Sequence, residues 1–276
     1  MTTPHEVFYF NIDVPYTIDD LSVVVPQAYN YKKRISWFLD QFVKATPEVV
    51  IKNTIVTYDP GDEYTESELK KYNIRGMIVD QPQSTYKIQS GLKEIKTRLV
   101  VRMANDTYLK RTDWADLLVG QFNALDRPQL IGAAYASGDI SKEGMEQFFD
   151  AYPFYRKAMK YVDYTLNGDG ALSLGLCYLH GYFMASQTYV LQSLYPQIVE
   201  FNKGYMGKED CLISHLTSGN RISIVCWDNL GDFCKHIGKH TADFEGEEES
   251  CNTFIQADEN TEPRPKFRVM KPPEVL

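Results

Sequence analysis

The chain has no apolar run long enough to span a bilayer as a helix, which takes about 20 residues, so no membrane span is expected. Residues 1–20 carry Asp13, Asp19 and Asp20 and no apolar stretch. A secretory leader is therefore not expected either, and the expected location is cytoplasmic. The five cysteines (177, 211, 226, 234 and 251) are odd in number and scattered. That is the pattern of reduced thiols and not of a disulfide frame. Basic charge is also scarce: 29 Lys and Arg face 37 Asp and Glu, for a net charge of −8. Any affinity for nucleic acid would then need a local basic patch, since phosphate neutralisation supplies most non-specific binding. There are no internal repeats. A Gly-rich, basic phosphate loop is missing after the first strong strand, where the chain reads Pro26-Gln27-Ala28-Tyr29-Asn30.

What is present is core-forming material. Hydrophobic residues make up 43% of the 276 and aromatics 13%, enough to exclude global disorder. Val7–Ile12 reads as an accessory edge strand. Leu21-Ser22-Val23-Val24-Val25 is a continuous β-branched run, as in buried parallel strands. After Pro26, the residues Ile35, Phe38, Leu39, Phe42 and Val43 recur at helical spacing and define one apolar face. Residues 49–58 predict a second strand, closed by Asp59-Pro60-Gly61-Asp62. Thr65-x-x-Glu68 predicts a capping box for a short helix. Gly76–Val79 is a third strand, and Ser84 or Thr85 caps a helix with Ile88, Leu92 and Ile95 inward. Leu99–Met103 is a fourth strand, running into the polar step Asn105-Asp106-Thr107.

The first 110 residues thus alternate strand and helix, the mark of a doubly wound parallel sheet with ligand loops at its carboxyl edge. Three polar steps fall at that edge: 26–30, 58–62 and 104–107. Alone, each is an ordinary turn, because Asn, Asp, Gly and Pro suit turns for backbone reasons. Further on, Thr112 caps a helix carrying Trp114, Leu117 and Leu118, and Leu130–Tyr135 is a strand. Ser141 caps a helix carrying Met145, Phe148 and Phe149. His180–Ala185 is extended, and Ser186 opens a helix to about Phe201, bent or broken at Pro196. Glu209–Leu216 starts a helix, and Ile222–Cys226 is a last strand. From residue 242 the chain is acidic and then Pro-rich, which reads as a tail.

Taken in order, these pieces resemble the nucleotide-sugar glycosyltransferases of the GT-A fold, particularly the large inverting family 2. Val23-Val24-Val25-Pro26 to Tyr29-Asn30 resembles the family's opening V-V-V-P-x-Y-N, with one residue inserted. Val56–Asp62 resembles its V-D-D-G-S-x-D step, Lys87–Leu92 its (K/R)-x-x-A-x-N-x-G-L helix, and Leu99–Thr107 its D-x-D metal motif. His180–Met184 resembles G-G-x-F-M, Gly207–Asp210 resembles G-E-D, and His236-Ile237-Gly238 resembles H-x-G. The resemblance covers roughly residues 21–241. It implies one Rossmann-like, mostly parallel α/β domain over 1–241, with a nucleotide-binding half (1–110), an acceptor half (111–241) and the tail 242–276.

The resemblance also implies roles. Pro26, Ala28, Tyr29, Asp59, Lys87, Asn105 and Asp106 would bind the donor, with Asp59 accepting the base N–H. Asp106, Asn105 and His236 would hold a divalent Mn²⁺ or Mg²⁺. Asp210 would be the general base with Glu209 beside it, and His180, Gly181 and Tyr182 would line the acceptor side. Two positions depart from the pattern: Ala104 stands for the first Asp of D-x-D, and Tyr58 for the first Asp of the second motif, where it could offer a stacking surface. Lys87 and Arg102 are further candidates to neutralise the leaving diphosphate.

The implied reaction is transfer of a sugar from a UDP-sugar or similar donor to an acceptor hydroxyl, with inversion. The acceptor stays open between a polysaccharide, a protein and a modified base in viral DNA. Lys32-Lys33-Arg34 and Arg156-Lys157 could serve DNA but read equally as solvated faces. Two alternatives stand beside this reading: a catalytically degenerate GT-A-like nucleotide-binding module, and a nucleotidyltransferase, which the missing Gly-rich loop disfavours. Cys226, Cys234, His236 and His240 match no standard zinc spacing.

Overall fold

A computed structural model describes residues 14–27, 32–81, 83–124, 128–134, 165–166, 172–173, 179–202, 213, 223–226 and 234–236. The expected strand at 7–12, the helix at 141–149, most of the helix at 209–216 and the tail lie outside the described residues.

Strands β1 (Leu21–Pro26), β2 (Thr54–Tyr58), β3 (Arg75–Ile78), β4 (Leu99–Met103), β6 (Gln129–Ala134), β9 (Leu179–Gln187) and β10 (Ser223–Cys226) form one seven-stranded sheet. Its order is β10-β6-β9-β4-β1-β2-β3. All neighbours are parallel except at β9, which runs antiparallel to both β4 and β6. The fold is α/β, with a doubly wound, mostly parallel sheet. Two short pairs lie outside this sheet: β5 (Thr107–Leu109) with β11 (Cys234–His236), and β7 (Thr165–Leu166) with β8 (Leu172–Ser173).

Side-chain alternation explains the two layers. Along β1, Val23 and Val25 belong to one apolar cluster and Val24 to the other, as successive residues of a strand must. β4 repeats the pattern: Leu99, Val101 and Met103 face one way and Val100 the other. Helix α1 (Lys32–Ala45) seals the first face with Ile35, Phe38, Leu39 and Phe42. Helix α5 (Trp114–Asn123) adds Trp114, Leu118 and Phe122 there. On the second face, α4 (Ser84–Glu94) contributes Ile88 and Leu92, and α6 (Thr188–Asn202) contributes Leu191, Leu194 and Ile198.

Several elements differ from the expected ones. Residues 48–52 form a helix, α2 (Glu48–Lys52), and not the start of β2. Pro47 presets the first turn, its carbonyl accepts from the Val50 and Ile51 amides, and the Thr54 hydroxyl closes back on Val50 O at 2.8 Å. Helix α3 (Glu63–Lys71) starts earlier than expected because Asp62 is its cap, accepting from the Thr65 amide (3.1 Å) and hydroxyl (2.6 Å). Ser186 does not cap α6. It is a buried β9 residue whose hydroxyl donates to Gln129 O at 2.6 Å. Nor does Pro196 end α6, which runs through it to Asn202. Among the described residues no helix is long and apolar enough to cross a membrane.

One glycine sets the distance of α4 from the sheet. A Cβ on Gly91 would lie 2.7 Å from Val24 Cγ1 and 3.2 Å from Thr57 Cγ2. Such overpacking typically costs about 1–3 kcal/mol, more than the roughly 1 kcal/mol that helix propensity returns on replacing glycine. Gly91→Val is therefore expected to lower the thermal midpoint by several degrees, at about 2–4 °C per kcal/mol for a chain of this size. An unchanged midpoint in calorimetry would show that α4 can back away freely.

Candidate functional site

The strand order reverses at β1, which has β2 on one side and β4 on the other. Open α/β sheets bind ligands in the crevice at the carboxyl ends flanking such a point. Pro26 and Gln27 of the first polar step, and the second and third steps, follow the strands that end there. Register aligns them, with Pro26 opposite Thr57 and Val24 opposite Arg102.

Gln27, the first residue past β1, joins the steps. Its amide donates to Thr57 O (2.8 Å), extending the β1–β2 ladder by one bond. Its carbonyl accepts from Lys87 Nζ at 2.7 Å. Its side-chain oxygen accepts from the side-chain Nδ2 of Asn105. Gln27 is fully buried. Gln27 is therefore the knot between the first, second and fourth strand ends.

Asp59 follows β2 and opens a turn whose Gly61 has a φ of 77°, a left-handed conformation that favours glycine. Its carboxylate meets Lys87 Nζ at 2.7 Å. The Lys87 side chain is 1% exposed and Asp59 is 18% exposed, so the carboxylate keeps one side toward the crevice while the ammonium is sealed behind it. Lys87, expected near the base or the phosphates, thus sits one layer back and holds Asp59.

The fourth strand ends in a tight turn. The Thr107 amide donates to Ala104 O at 3.1 Å. The Ala104 amide and the Thr107 hydroxyl both donate to Tyr182 O, at 2.8 and 2.9 Å. Ala104 packs against the apolar cluster, so the position that carries a carboxylate in the resembled motif serves packing here. Asp106 lies beside Arg34 of α1, with Nη1 to Oδ2 at 3.6 Å and side chains 10% and 12% exposed. That separation makes an ion pair outside hydrogen-bond range.

β5 leaves this turn and pairs antiparallel with β11, placing His236 opposite Thr107 and Cys234 opposite Leu109. Backbone pairing therefore brings His236 within one residue of Asp106 in register; its side chain is outside the described residues. Gln41 of α1 braces β5, donating to Thr107 O (3.0 Å) and accepting from the Leu109 amide (2.9 Å). Cys234 is buried, shares a hydrogen bond with the Tyr182 hydroxyl, and burial pushes its thiol up to about 12.

The expected residues separate as follows. Pro26, Asp59, Lys87, Asn105 and Asp106 come together around Gln27. Gly181 and Tyr182 lie on β9 behind the turn. Gly181 O accepts from Arg102, and the Tyr182 phenol is buried, which holds its pKa well above the usual range. His180 is in β9, and its side chain lies outside the described residues, as do Ala28, Tyr29, Glu209 and Asp210. Arg102 is not at the crevice as a counter-charge but buried, tying β4 to β9. Tyr58 is not a stacking surface: it is 5% exposed and packs against Gly76. The solvated-face alternative for Lys32-Lys33-Arg34 fails at Arg34, which is buried.

Gln27, Arg34 and Gln41 are additions to the expected set. Helix phase could have found the last two. Arg34 and Gln41 are seven apart and flank Phe38 at four and three residues, which puts all three on one side of α1.

The oxygen ligands suit a divalent ion only in part. Asp106 offers one carboxylate and Asn105 one amide oxygen. Mg²⁺-type sites typically use one or two carboxylates and take the rest from substrate phosphates and water, and this donor set fits that pattern. Among the described residues no group of three His, Cys, Asp or Glu could hold a metal ion. An open cleft of about 310 Å³ lies elsewhere, between α4 and α6. Its Lys93 is at the other end of α4 from Lys87, and Lys96 lies just past that end.

Breaking a buried ion pair from one side costs about 3–5 kcal/mol, less where a partner retains solvent. Lys87→Met is accordingly expected to destabilise the fold by about 2–4 kcal/mol in urea denaturation, and adding Asp59→Asn should recover part of that loss. Two independent, additive effects would show that the pair does not hold the crevice.

No family model and no curated protein matches the chain. Solved structures do. Glucosyl-3-phosphoglycerate synthase from Mycobacterium tuberculosis, in complex with Mn²⁺, UDP and phosphoglyceric acid, is 18% identical with a TM-score of 0.47. The match covers 74% of this chain and 66% of that one, just under two thirds of its length. A second structure of the M. tuberculosis synthase matches at 17% identity and TM-score 0.46, over 76% and 74% of the two chains. S. aureus TarS 1–349 is 16% identical with a TM-score of 0.44, over 75% and 58%. These are likenesses of chain path at a distance where they say nothing of the reaction.

Proposed function

We propose that the chain is a glycosyltransferase, moving a sugar from a nucleoside diphosphate sugar, UDP-sugars first, to an acceptor hydroxyl with inversion. The observation that carries this reading is the Gln27 knot. It ties Asp59, 18% exposed, to the Asn105-Asp106 turn across the carboxyl ends of β1, β2 and β4. One end suits a base and the other a diphosphate.

The Asp59 carboxylate, held by Lys87, accepts the N–H of the base, with Pro26, Ala28 and Tyr29 around it. Asp106 and Asn105, with His236 delivered by β11, face the diphosphate and would hold Mn²⁺ or Mg²⁺. A bound divalent ion there supplies charge neutralisation for the departing diphosphate. Asp210, next to Glu209, takes the proton of the acceptor hydroxyl. That oxygen attacks the anomeric carbon from the face opposite the leaving group. The bond from the anomeric carbon to the phosphate oxygen breaks with its electron pair going to the diphosphate, which inverts the centre. Gly181 and Tyr182 support this end of the site from behind, and His180, which precedes them on β9, is the acceptor-side candidate of the three. Residues 1–241 act as one unit in this reading. The acceptor class, a polysaccharide, a protein or a modified DNA base, is left to the assay.

Ala104 favours a second reading, a nucleotide-binding module without turnover. One experiment separates the two. Thermal midpoints are measured with UDP, GDP, ADP, CDP and TDP, with and without Mn²⁺, and donor hydrolysis is followed in parallel. Ligand at 100 times its Kd stabilises by about 2.7 kcal/mol, so a rise of about 5 °C or more is expected with one diphosphate. Hydrolysis of the matching sugar nucleotide should fall about 10²–10⁴-fold in Asp210→Asn, with the thermal shift unchanged. Binding without any hydrolysis by the wild type would favour the module. No shift with any diphosphate would reject the nucleotide site itself.

A further inference from the structure

We propose that the cleft between α4 and α6 is a second binding site, for a phosphomonoester, either free phosphate or phosphate carried on a sugar. It lies at the edge of the sheet opposite the nucleotide crevice. α4 follows the carboxyl end of β3 and ends just before Leu99 opens β4. α6 starts directly after β9, where Gln187 pairs with Leu99. The end of α4 and the start of α6 therefore meet at the amino edge. At the helical rise, Lys93 stands about 9 Å beyond Lys87 along the axis of α4.

The cleft, of about 310 Å³, has the size of a small-ligand pocket. Lys93 and Lys96 give it two ammonium groups, and among the described residues no carboxylate lines it. Both lysines are exposed, and neither makes an ion pair or a hydrogen bond. Other exposed helix lysines behave differently: Lys52, Lys70 and Lys71 each pair with a glutamate three or four residues earlier. Four residues before Lys93 stands Gln89, and the neighbouring Glu94 turns instead to Arg75 at 2.7 Å. A lysine in the last turn of a helix commonly serves the free carbonyls there. Here those carbonyls have another donor, since Gln192 Nε2 reaches Leu92 O at 2.7 Å and Ile95 O at 3.3 Å. Like charges three residues apart repel. A phosphate between them relieves that repulsion and accepts charge-assisted hydrogen bonds from both.

The second wall suits hydroxyl groups. Pro196 lies inside α6 and has no N–H, so it cannot donate to the Gln192 carbonyl four residues earlier. That carbonyl and the Gln89 side-chain amide are the groups available to a sugar. The Gln192 side chain also ties α6 to the end of α4, which holds the width of the cleft.

Calorimetric titration of the full chain tests this at constant ionic strength, with inorganic phosphate, glucose 1-phosphate and glucose as probes. At least one phosphate-bearing probe should bind with a Kd of about 1 mM or below, and glucose should not bind. Lys93→Gln with Lys96→Gln should weaken that binding by about 10–100-fold, the range of one or two charge-assisted contacts. Lys96→Gln alone, past the end of α4, should lose about 3–10-fold, and it carries the comparison if the double variant does not fold. Glucose 1-phosphate bound more tightly than phosphate identifies a sugar phosphate site, and equal affinities identify a site for free phosphate; both results support the proposal. Saturating UDP should leave the titration unchanged, because the crevice is at the other edge. Displacement by UDP, undiminished affinity in both lysine variants, or no binding of either phosphate-bearing probe at about 10 mM would overturn the site. Whether UDP binds at the crevice is a separate result, so the donor reading stands or falls independently.

Discussion

A lysine ammonium sealed in the interior is tolerable only with partners, because desolvation disfavours the charged form. Lys87 has two at 2.7 Å, the Asp59 carboxylate and the Gln27 carbonyl. The crevice depends on that arrangement. It fixes α4 against the end of β2 and holds Gln27, the residue that follows β1, in place. Through the Gln27 side chain it also sets the position of Asn105. If the ammonium were lost, three strand ends would lose their common reference. The second half of the chain adds the other brace, where β9 lends its Tyr182 carbonyl to both ends of the Ala104–Thr107 turn.

Much of this was legible in the sequence. β-branched runs at 21–25 and 99–103 marked the central strands, and the apolar periodicity from Ile35 to Phe42 marked α1. The three polar steps followed from where those strands had to end. Local signals failed where two chemistries compete for the same residues. Val49-Val50-Ile51 has strand composition, yet Pro47 and Glu48 start a helical turn. Asp62 and Thr65 could each cap α3, and the side chain that reaches the free amides first in the chain is Asp62. Ser186 has the composition of a cap but lies in a strand whose neighbour supplies a carbonyl. Pairings distant in sequence, such as β11 with β5 across 125 residues of separation, leave no periodic trace at all.

Partnerships within the site were harder still to read. Lys87 and Arg34 are both cations near the start of a helix, and sequence alone ranks neither as buried. The structure separates their surroundings: Lys87 makes direct contact with a carboxylate and a carbonyl, whereas Arg34 lies 3.6 Å from the Asp106 carboxylate. Arg102 looked equally suitable as a counter-charge, but strand alternation sends it into the β4–β9 layer, where the Gly181 carbonyl takes it up. Tyr58, in place of an acid, follows the same logic and fills the space that Gly76 leaves.

The central claim is that Asp59 and Asp106 mark the two ends of one nucleoside diphosphate site. The most direct measurement is a crystal structure of the protein soaked with UDP. The account predicts the base within hydrogen-bond distance of Asp59 and the diphosphate beside Asp106, with Gln27 still joined to Lys87 and Asn105. UDP seated in the cleft between α4 and α6, beside Lys93 and Lys96, with the crevice at β1 empty, would contradict it.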